Sequence, residues 1–316
     1  MSKARELASL GTAYSDGSLS NRNLIINGAM QVAQRGTSFT NATTSWAYSL
    51  DRWRSYSEAG VSATVDKVSI TKDGVSVDAL HWQQPSTTGS TYLGQVIEGT
   101  YLRGKTVTVS FWVDTVSNVN VVLYDNVTTL TTPQAVTTGR NTYTATFASN
   151  FSADTASLYF HSPAGASELK VTDVQLEVGD TATPFEHRSY GQELALCQRY
   201  YYTINAAGHP SPNSSAYHRF MTFGQGTDSL IWYPQYPVEM RVVPTLIKTN
   251  FTSSTVNIFN YTRQSEIQIS SVINAEGGKQ AGQIAIYTAG GVFAGDLASW
   301  RWIASPNAAI SFDAEL

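Results

Sequence analysis

The chain has 316 residues, a formal net charge of −4 and 14% charged residues, and it lacks the clustered Lys and Arg that neutralise phosphates, which argues against a nucleic-acid partner. Its one cysteine, Cys197, excludes an intrachain disulfide. No apolar run approaches the roughly 20 residues of a membrane helix, so we expect no membrane insertion. The length favours two domains, with one large β domain as the alternative.

Residues 1–22 are predicted to form a short leader. Met1–Ala8 lacks the apolar core of a signal peptide, so we expect synthesis in a cytoplasm without secretion. The leader is either a frayed end or a docking segment. A docking segment would bind a partner protein or pack around a three-fold axis.

Residues 23–188 show short strands separated by turns. Val61–Val65 alternates apolar and polar residues, and Thr106–Val113 does so with its valines and Phe111 on one side. Lys72-Asp73-Gly74 is typical of a hairpin turn. This spacing predicts a β-sandwich or jelly roll.

The second predicted domain covers residues 189–316. Thr183–Glu186 contains a proline that cannot continue a central strand, and Tyr190–Tyr200 has the best helical spacing in the chain. The strands expected after it lie near Phe220–Phe223, Leu230–Tyr233, Thr245–Ile247, Val256–Phe259, Glu266–Val272, Gln283–Tyr287 and Trp300–Ile303. The predicted fold class is therefore all-β, with two jelly-roll-like sandwiches joined by a short helix and preceded by the leader.

No catalytic constellation emerges from the sequence. The five histidines are scattered, and there is no His-Glu-x-x-His or Gly-x-Ser-x-Gly motif. Cys197 follows the apolar Leu196 in the predicted helix and is expected to be a buried, inert thiol. A glycan hydrolase would require two carboxylates that face each other across a groove, and no pattern singles out such a pair. We therefore predict a protein without catalytic residues, metal or cofactor.

Sugar binding is the more promising chemistry, because aromatic faces stack on the C–H surfaces of sugars. Trp300 and Trp302 share one strand face, where they either fill a core or form an exposed platform. The candidate ligand-binding residues are Trp46, Tyr48, Tyr56, His81, Trp82, Trp232, Trp300 and Trp302.

Three stretches together resemble a family of phage and prophage tail-fibre and virion proteins. They are Asn23–Val32 with Gln34–Phe39 and Asp51-Arg52-Trp53, then Val174–Gly179 with Thr183–Arg188 and Glu193–Tyr201, and finally Tyr236–Arg241 with Pro244-Thr245. The order of the set is more specific than any one stretch.

This resemblance implies a non-enzymatic fibre subunit of a virion, assembled as a homotrimer, that attaches to host-surface polysaccharide. Its leader would contact other tail or capsid proteins. The alternative is a capsid decoration protein, head fibre or tail connector without receptor binding. The resemblance also implies that Trp53 lies in the core and that Arg52 pairs with a carboxylate such as Asp51 or Glu186. The motif residues with an implied structural role are Asn27, Gly28, Arg35, Asp51, Arg52, Trp53, Glu177, Arg199 and Tyr200.

Residues 23–188 also resemble jelly-roll carbohydrate-binding modules, in which an Asn-rich opening strand lies near a closing strand of the type Val171–Glu177. The resemblance implies a two-sheet sandwich whose first and last strands meet. Many such modules hold a structural calcium through a carboxylate after the opening Asn-Gly, and here Ala29-Met30-Gln31 follows instead. Asp173 and Glu177 leave a role with a hard cation open.

Overall fold

The computed structural model describes residues 22–86, 88–125, 133–148, 155–205, 217–224, 229–249, 256–260, 265–288, 297–302 and 309–315. In these residues the chain consists of antiparallel strands with one α-helix, which confirms the predicted all-β fold class. Its contacts divide it into two compact units, Met1–Leu194 and Ala195–Leu316. Within the same residues, no helix combines the length and the apolar character that a membrane span requires.

The first unit contains two antiparallel sheets. Its described strands are β1 (Ser38–Asn41), β2 (Ala47–Tyr48), β3 (Arg54–Ser57), β4 (Ala63–Lys72), β5 (Val75–Gln84), β6 (Thr91–Glu98), β7 (Thr106–Ser117), β8 (Asn120–Tyr124), β9 (Gln134–Ala135), β10 (Gly139–Thr146), β11 (Thr155–Ser162) and β12 (Ser167–Val178), with a 3-10 turn at Thr100–Leu102. Sheet I has the order β1-β4-β5-β12-β7-β10, and sheet II has the order β2-β3-β6-β11-β8-β9.

The two sheets pack face to face through alternating side chains. In β7, Val107, Val109, Phe111 and Val113 are all fully buried, as the alternation predicted. The ring of Phe111 meets the ring of Phe160 from β11 edge to face, with centroids 5.0 Å apart. Because these rings come from different sheets, the core lies between the sheets and the first unit is a sandwich.

The predicted hairpin turn joins β4 to β5. Lys72 pairs with Val75, so two residues form the turn. Asp73 has a φ of 51° and Gly74 a φ of 80°, the left-handed pair that a type I′ turn requires. The prediction from the local residues is confirmed.

The opening segment, Asn23–Gly28, runs along β12 and closes the sandwich. The Leu24 N–H donates to the Leu176 carbonyl at 2.8 Å. The Asn23 side chain bridges the same strand, because its Nδ2 donates to the Val174 carbonyl and its Oδ1 accepts from the Leu176 N–H, both at 3.1 Å. The opening segment and the closing strand therefore meet, as the resemblance implied.

Asn27 fixes this segment from inside the core. Its Nδ2 donates to the carbonyls of Val32 at 2.9 Å and Asp51 at 3.1 Å, and its N–H donates to the carboxylate of Glu193. The indole N–H of Trp53 donates to the Asn27 carbonyl at 3.1 Å, and both side chains are fully buried. Residues from distant parts of the sequence thus support one tight turn.

The segment after β12 holds the opening segment from its other side. Glu186 accepts a hydrogen bond from the Asn23 N–H at 2.8 Å and pairs with Arg188 at 3.5 Å. Arg188 donates to the carbonyls of Asn23 and Ile25. The charged groups of this segment are therefore used to satisfy main-chain atoms.

The second unit contains a closed six-stranded sheet and a three-stranded sheet. Helix α1 (Tyr190–Gln198) leads into β13 (Tyr201–Asn205), β14 (Tyr217–Gly224), β15 (Ser229–Trp232), β16 (Thr245–Thr249), β17 (Val256–Asn260), β18 (Ser265–Gly277), β19 (Gly282–Thr288), β20 (Leu297–Trp302) and β21 (Ala309–Asp313). The three-stranded sheet has the order β13-β21-β16, and the closed sheet has the order β14-β15-β19-β18-β17-β20. Cys197 is buried in this unit and forms no disulfide.

Closure of the six-stranded sheet differs from the predicted C-terminal sandwich. Strand β14 pairs with both β15 and β20, so that Phe223 lies opposite Ile231 on one side and Leu297 on the other. The sheet therefore closes into a barrel. A pairing between strands so distant in sequence leaves no trace in the period of either strand, which explains the difference.

Gly28→Ala is expected to destabilise the first unit, because its Cβ would lie 2.1 Å from the Val174 carbonyl oxygen. Overpacking typically costs about 1–3 kcal/mol, and a backbone obstacle cannot rotate away. Gly191→Ala in α1 is the control, since its Cβ would meet nothing within 4 Å and alanine favours a helix. Denaturant unfolding followed by tryptophan fluorescence measures both variants. Equal free energies of unfolding would contradict the close contact.

Candidate functional site

A groove of about 490 Å³ lies on the outer face of sheet II. Its lining residues are Trp46, Arg54, Tyr56, Tyr92, Val122, Tyr124 and Tyr159. They come from β3, β6, β11 and β8, which are neighbours in the sheet, and from the residue before β2. Leu93, Leu158 and Phe160 face the core, so alternation places the residues between them on the outside.

Aromatic rings form the floor and wall of this groove. Trp46 stacks on Tyr159 with centroids 5.0 Å apart and planes 20° apart, and it lies 5.5 Å from Tyr56. Tyr92 stacks on His161 at 4.6 Å, next to the Tyr56 ring at 6.1 Å. Trp46 keeps 38% of its surface exposed despite these contacts, so its ring is accessible to a ligand.

Gly94 makes room for this arrangement. It lies between Arg54 and Tyr159 in the register of the sheet. A Cβ at Gly94 would lie 2.4 Å from Cδ1 of Tyr159 and 2.1 Å from the Leu158 carbonyl oxygen. Because glycine leaves this position open, the Tyr159 ring extends across the strand, and its hydroxyl accepts a hydrogen bond from Arg54 Nη2 at 2.9 Å.

Burial and one carboxylate set the electrostatics of the groove. Burial raises the pKa of Tyr92, and the charge of Glu58 and the neighbouring Tyr56 raise it further, so its phenol stays a neutral donor. Burial lowers the pKa of His161, while Glu58 acts in the opposite direction. Stacking faces and neutral donors therefore dominate this end of the groove.

A larger cavity of about 540 Å³ lies outside sheet I, and its chemistry is different. Its carboxylates Asp78 and Asp173 are paired with Lys67 and Lys72. Among the described residues that line this cavity, the aromatic side chains are Tyr190, which is 56% exposed, and the imidazole of His187. This cavity offers no stack of rings, and we therefore take the groove as the candidate site.

The structure brings two predicted ligand residues into the groove. Trp46 and Tyr56 line it, whereas Tyr48 packs against Arg35, whose guanidinium carbon lies 5.2 Å from the Tyr48 centroid. Sequence reasoning missed Tyr92 and Tyr159. Their outward position is readable from the apolar alternation of β6 and β11, but their approach to Trp46 depends on the order of strands in sheet II.

Three other predicted positions do not belong to the site. Trp82 is fully buried in the first core, and Trp232, 6% exposed, belongs to the second. His81 lies on the outer face of sheet I, where its Nε2 is 2.9 Å from Glu168 Oε1. Adjacent strand residues point to opposite faces, so His81 and Trp82 could not have formed one surface.

The remaining two tryptophans, Trp300 and Trp302, lie on β20. They share one face by their spacing. Their side chains fall outside the described residues, so the choice between core and platform stays a prediction.

The predicted motif residues bind protein groups. Arg52 Nη2 donates to the Val96 carbonyl at 2.6 Å. Glu177 accepts from the N–H and hydroxyl of Thr183 at 2.9 and 2.7 Å. Arg199 lies 5.9 Å from the ring of the buried Tyr200.

In the described part of the chain, the side chains that could bind a metal ion do not form a cluster. No group of three or more His, Cys, Asp or Glu side chains is arranged there to hold an ion. Asp173 is paired with Lys72, and Glu177 is engaged by Thr183.

No protein-family model matches the chain, and no curated protein matches it. Among solved structures, the chain is similar to the enzymatically active domain of tailspike protein 4 of bacteriophage CBA120, with 12% identity over 50% of this chain and 22% of that chain and a TM-score of 0.34. The chain thus spans less than a quarter of the length of that domain. It is also similar to a carbohydrate-binding module solved with beta-1,4-galactotriose, with 13% identity over 50% of this chain and 100% of that chain and a TM-score of 0.31. A third similar structure is the N-terminal tandem of carbohydrate-binding modules of Xyn10C from Paenibacillus barcinonensis, with 11% identity over 88% of this chain and 96% of that chain and a TM-score of 0.28.

The depressed pKa of His161 gives a test of the groove geometry. An NMR titration is expected to place its midpoint below the ordinary value of 6.5. The folded state then binds fewer protons than the unfolded state, so the stability that His161 contributes is present above about pH 6.5 and is lost as the pH falls below it. Glu58→Gln should lower the midpoint further, because the carboxylate favours the charged imidazolium. A titration midpoint above 6.5, or a midpoint that is higher in Glu58→Gln than in the unchanged protein, would show that the His161 ring is not packed as described.

Proposed function

We propose that the first unit binds a polysaccharide chain across the aromatic groove of sheet II. The observation that carries this proposal is the stacked pair of Trp46 and Tyr159, which presents an accessible ring beside phenol hydroxyls. Ring faces contact the apolar C–H surfaces of sugars, and hydroxyl groups orient them. The groove crosses four neighbouring strands, a distance of about 14 Å, which suits a short stretch of a glycan chain.

Binding at one groove is expected to be weak. An open groove leaves much of the glycan in water, and the ligand loses conformational freedom when it is ordered. Several copies that bind one polysaccharide would raise the overall affinity by about 10²–10⁴ without any new contact. The predicted homotrimer would supply such copies.

We further propose that the chain is a non-enzymatic virion fibre subunit that attaches to host-surface polysaccharide. The ordered sequence stretches that resemble phage tail-fibre and virion proteins support this role. The groove supports attachment as well, because its stacked rings offer a surface for a sugar chain. Localisation in the virion and assembly with tail or capsid proteins belong to the same proposal.

The experiment that tests the role is binding of the purified full-length protein to host cells, with and without removal of surface polysaccharide. We expect saturable binding that is lost on removal, and no release of reducing sugar. Binding that survives removal would contradict a glycan receptor. No binding by a folded sample would favour the decoration or connector alternative.

Two substitutions test the groove itself. Trp46→Ala and Tyr124→Ala should each weaken binding to the host polysaccharide by about tenfold, because each removes a stacking face worth about 1 kcal/mol or more. Tyr101→Ala is the matched control, since Tyr101 is 51% exposed and lies outside the groove. Calorimetry or biolayer interferometry measures the dissociation constants. Equal affinity in all three variants would place the binding surface elsewhere.

A further inference from the structure

The groove has an uneven inventory of hydrogen-bonding groups. Its described lining residues supply the guanidinium N–H groups of Arg54, the indole N–H of Trp46 and four tyrosine hydroxyls. The phenol oxygens can also accept, but among these lining residues there is no carboxylate or amide side chain to accept bonds from the hydroxyl pairs of a neutral sugar. A ligand that carries additional acceptor oxygens, such as those of a carboxylate, therefore fits this surface better than a neutral sugar.

Arg54 is the one formally charged side chain among the described lining residues. Its guanidinium carbon lies 4.4 Å from the Trp46 ring centroid, and Nη2 donates to the Tyr159 hydroxyl at 2.9 Å. It lies opposite Gly94, so the neighbouring strand places no side chain beside it. The stack and the hydrogen bond hold the guanidinium in place before a ligand arrives, which reduces the entropy lost on binding.

The opposite charge lies toward the other end of the groove. Glu58 acts on Tyr92 and His161, and its Oε2 accepts a hydrogen bond from the Ser90 N–H at 2.8 Å. It follows Arg54 by four residues, about 13 Å along an extended chain. Glu58 is not among the lining residues, so Arg54 supplies the formal charge of the described lining, and an anion is favoured beside Arg54 and Trp46.

We infer that the groove selects an acidic glycan, whose carboxylate-bearing sugar lies against Arg54 while the neighbouring sugars contact the aromatic rings. The inference of this ligand class rests on the glycan-binding function proposed above. A carboxylate matches the planar guanidinium in a bidentate pair. The partly buried setting strengthens the attraction, because less water screens it.

The test compares four acidic polysaccharides with their carboxyl-reduced forms, which keep the linkages and lose the charge. The probes are polygalacturonate, alginate, hyaluronan and polysialic acid. The full-length protein is expected to bind at least one acidic polymer about tenfold to a hundredfold more tightly than its reduced form, the effect of one charge-assisted pair. This preference should shrink as salt is raised. Equal binding of the acidic and reduced forms overturns the inference and leaves the proposed glycan binding intact. If the protein binds neither these polymers nor the host polysaccharide, both proposals are overturned.

Substitutions assign the preference to its residue. Arg54→Gln should abolish the difference in affinity between the acidic and the reduced form, because the acidic form loses more affinity than the reduced form does. Arg103→Gln, which removes an exposed arginine outside the groove, should leave that difference unchanged. Trp46→Ala should weaken both forms. An equal loss on both forms in Arg54→Gln would make Arg54 a positioning residue of the aromatic pair and overturn the inference. If Arg54→Gln does not fold, Arg54→Lys is the test, because lysine keeps the positive charge but lacks the planar guanidinium. This variant should retain part of the preference for the acidic form, and complete loss of the preference would count against the inference.

Discussion

The hydrogen bonds between the opening segment and β12 are the interaction on which the first unit depends. Asn23 satisfies two main-chain groups of β12, and the turn at Asn27 is held by Trp53 and Glu193. Gly28 allows this approach, because any side chain there would meet a carbonyl oxygen. Buried main-chain groups left without partners would cost more than these bonds contribute, so the closing contact and the core support each other.

The groove follows from the sandwich that this contact closes. The core takes the inward residues of β6 and β11, and the period of two then places Tyr92 and Tyr159 outside. The order β3-β6-β11-β8 sets those rings side by side. Gly94 completes the surface, since a larger residue would displace the Tyr159 ring that Trp46 and Arg54 contact.

Charge distinguishes this groove from a purely apolar platform. Arg54 is the charged side chain of the described lining, on a chain whose net charge is −4. An acidic polymer is not attracted by the net charge of this protein, so a preference for it must come from a local site. We propose Arg54, which contacts the Trp46 ring and donates to the Tyr159 hydroxyl, as this local site.

The sequence by itself determined the all-β class, the turn at Asp73-Gly74 and the alternation of β7, because these depend on neighbouring residues and on the period of the strand. It also placed Trp46 and Tyr56 among the candidate ligand residues, and both line the groove. The order of strands decided the rest: it closed the second unit's six-stranded sheet and brought Tyr159 to Trp46. Pairings between distant strands are set by the packing of the whole core, and no local pattern encodes them.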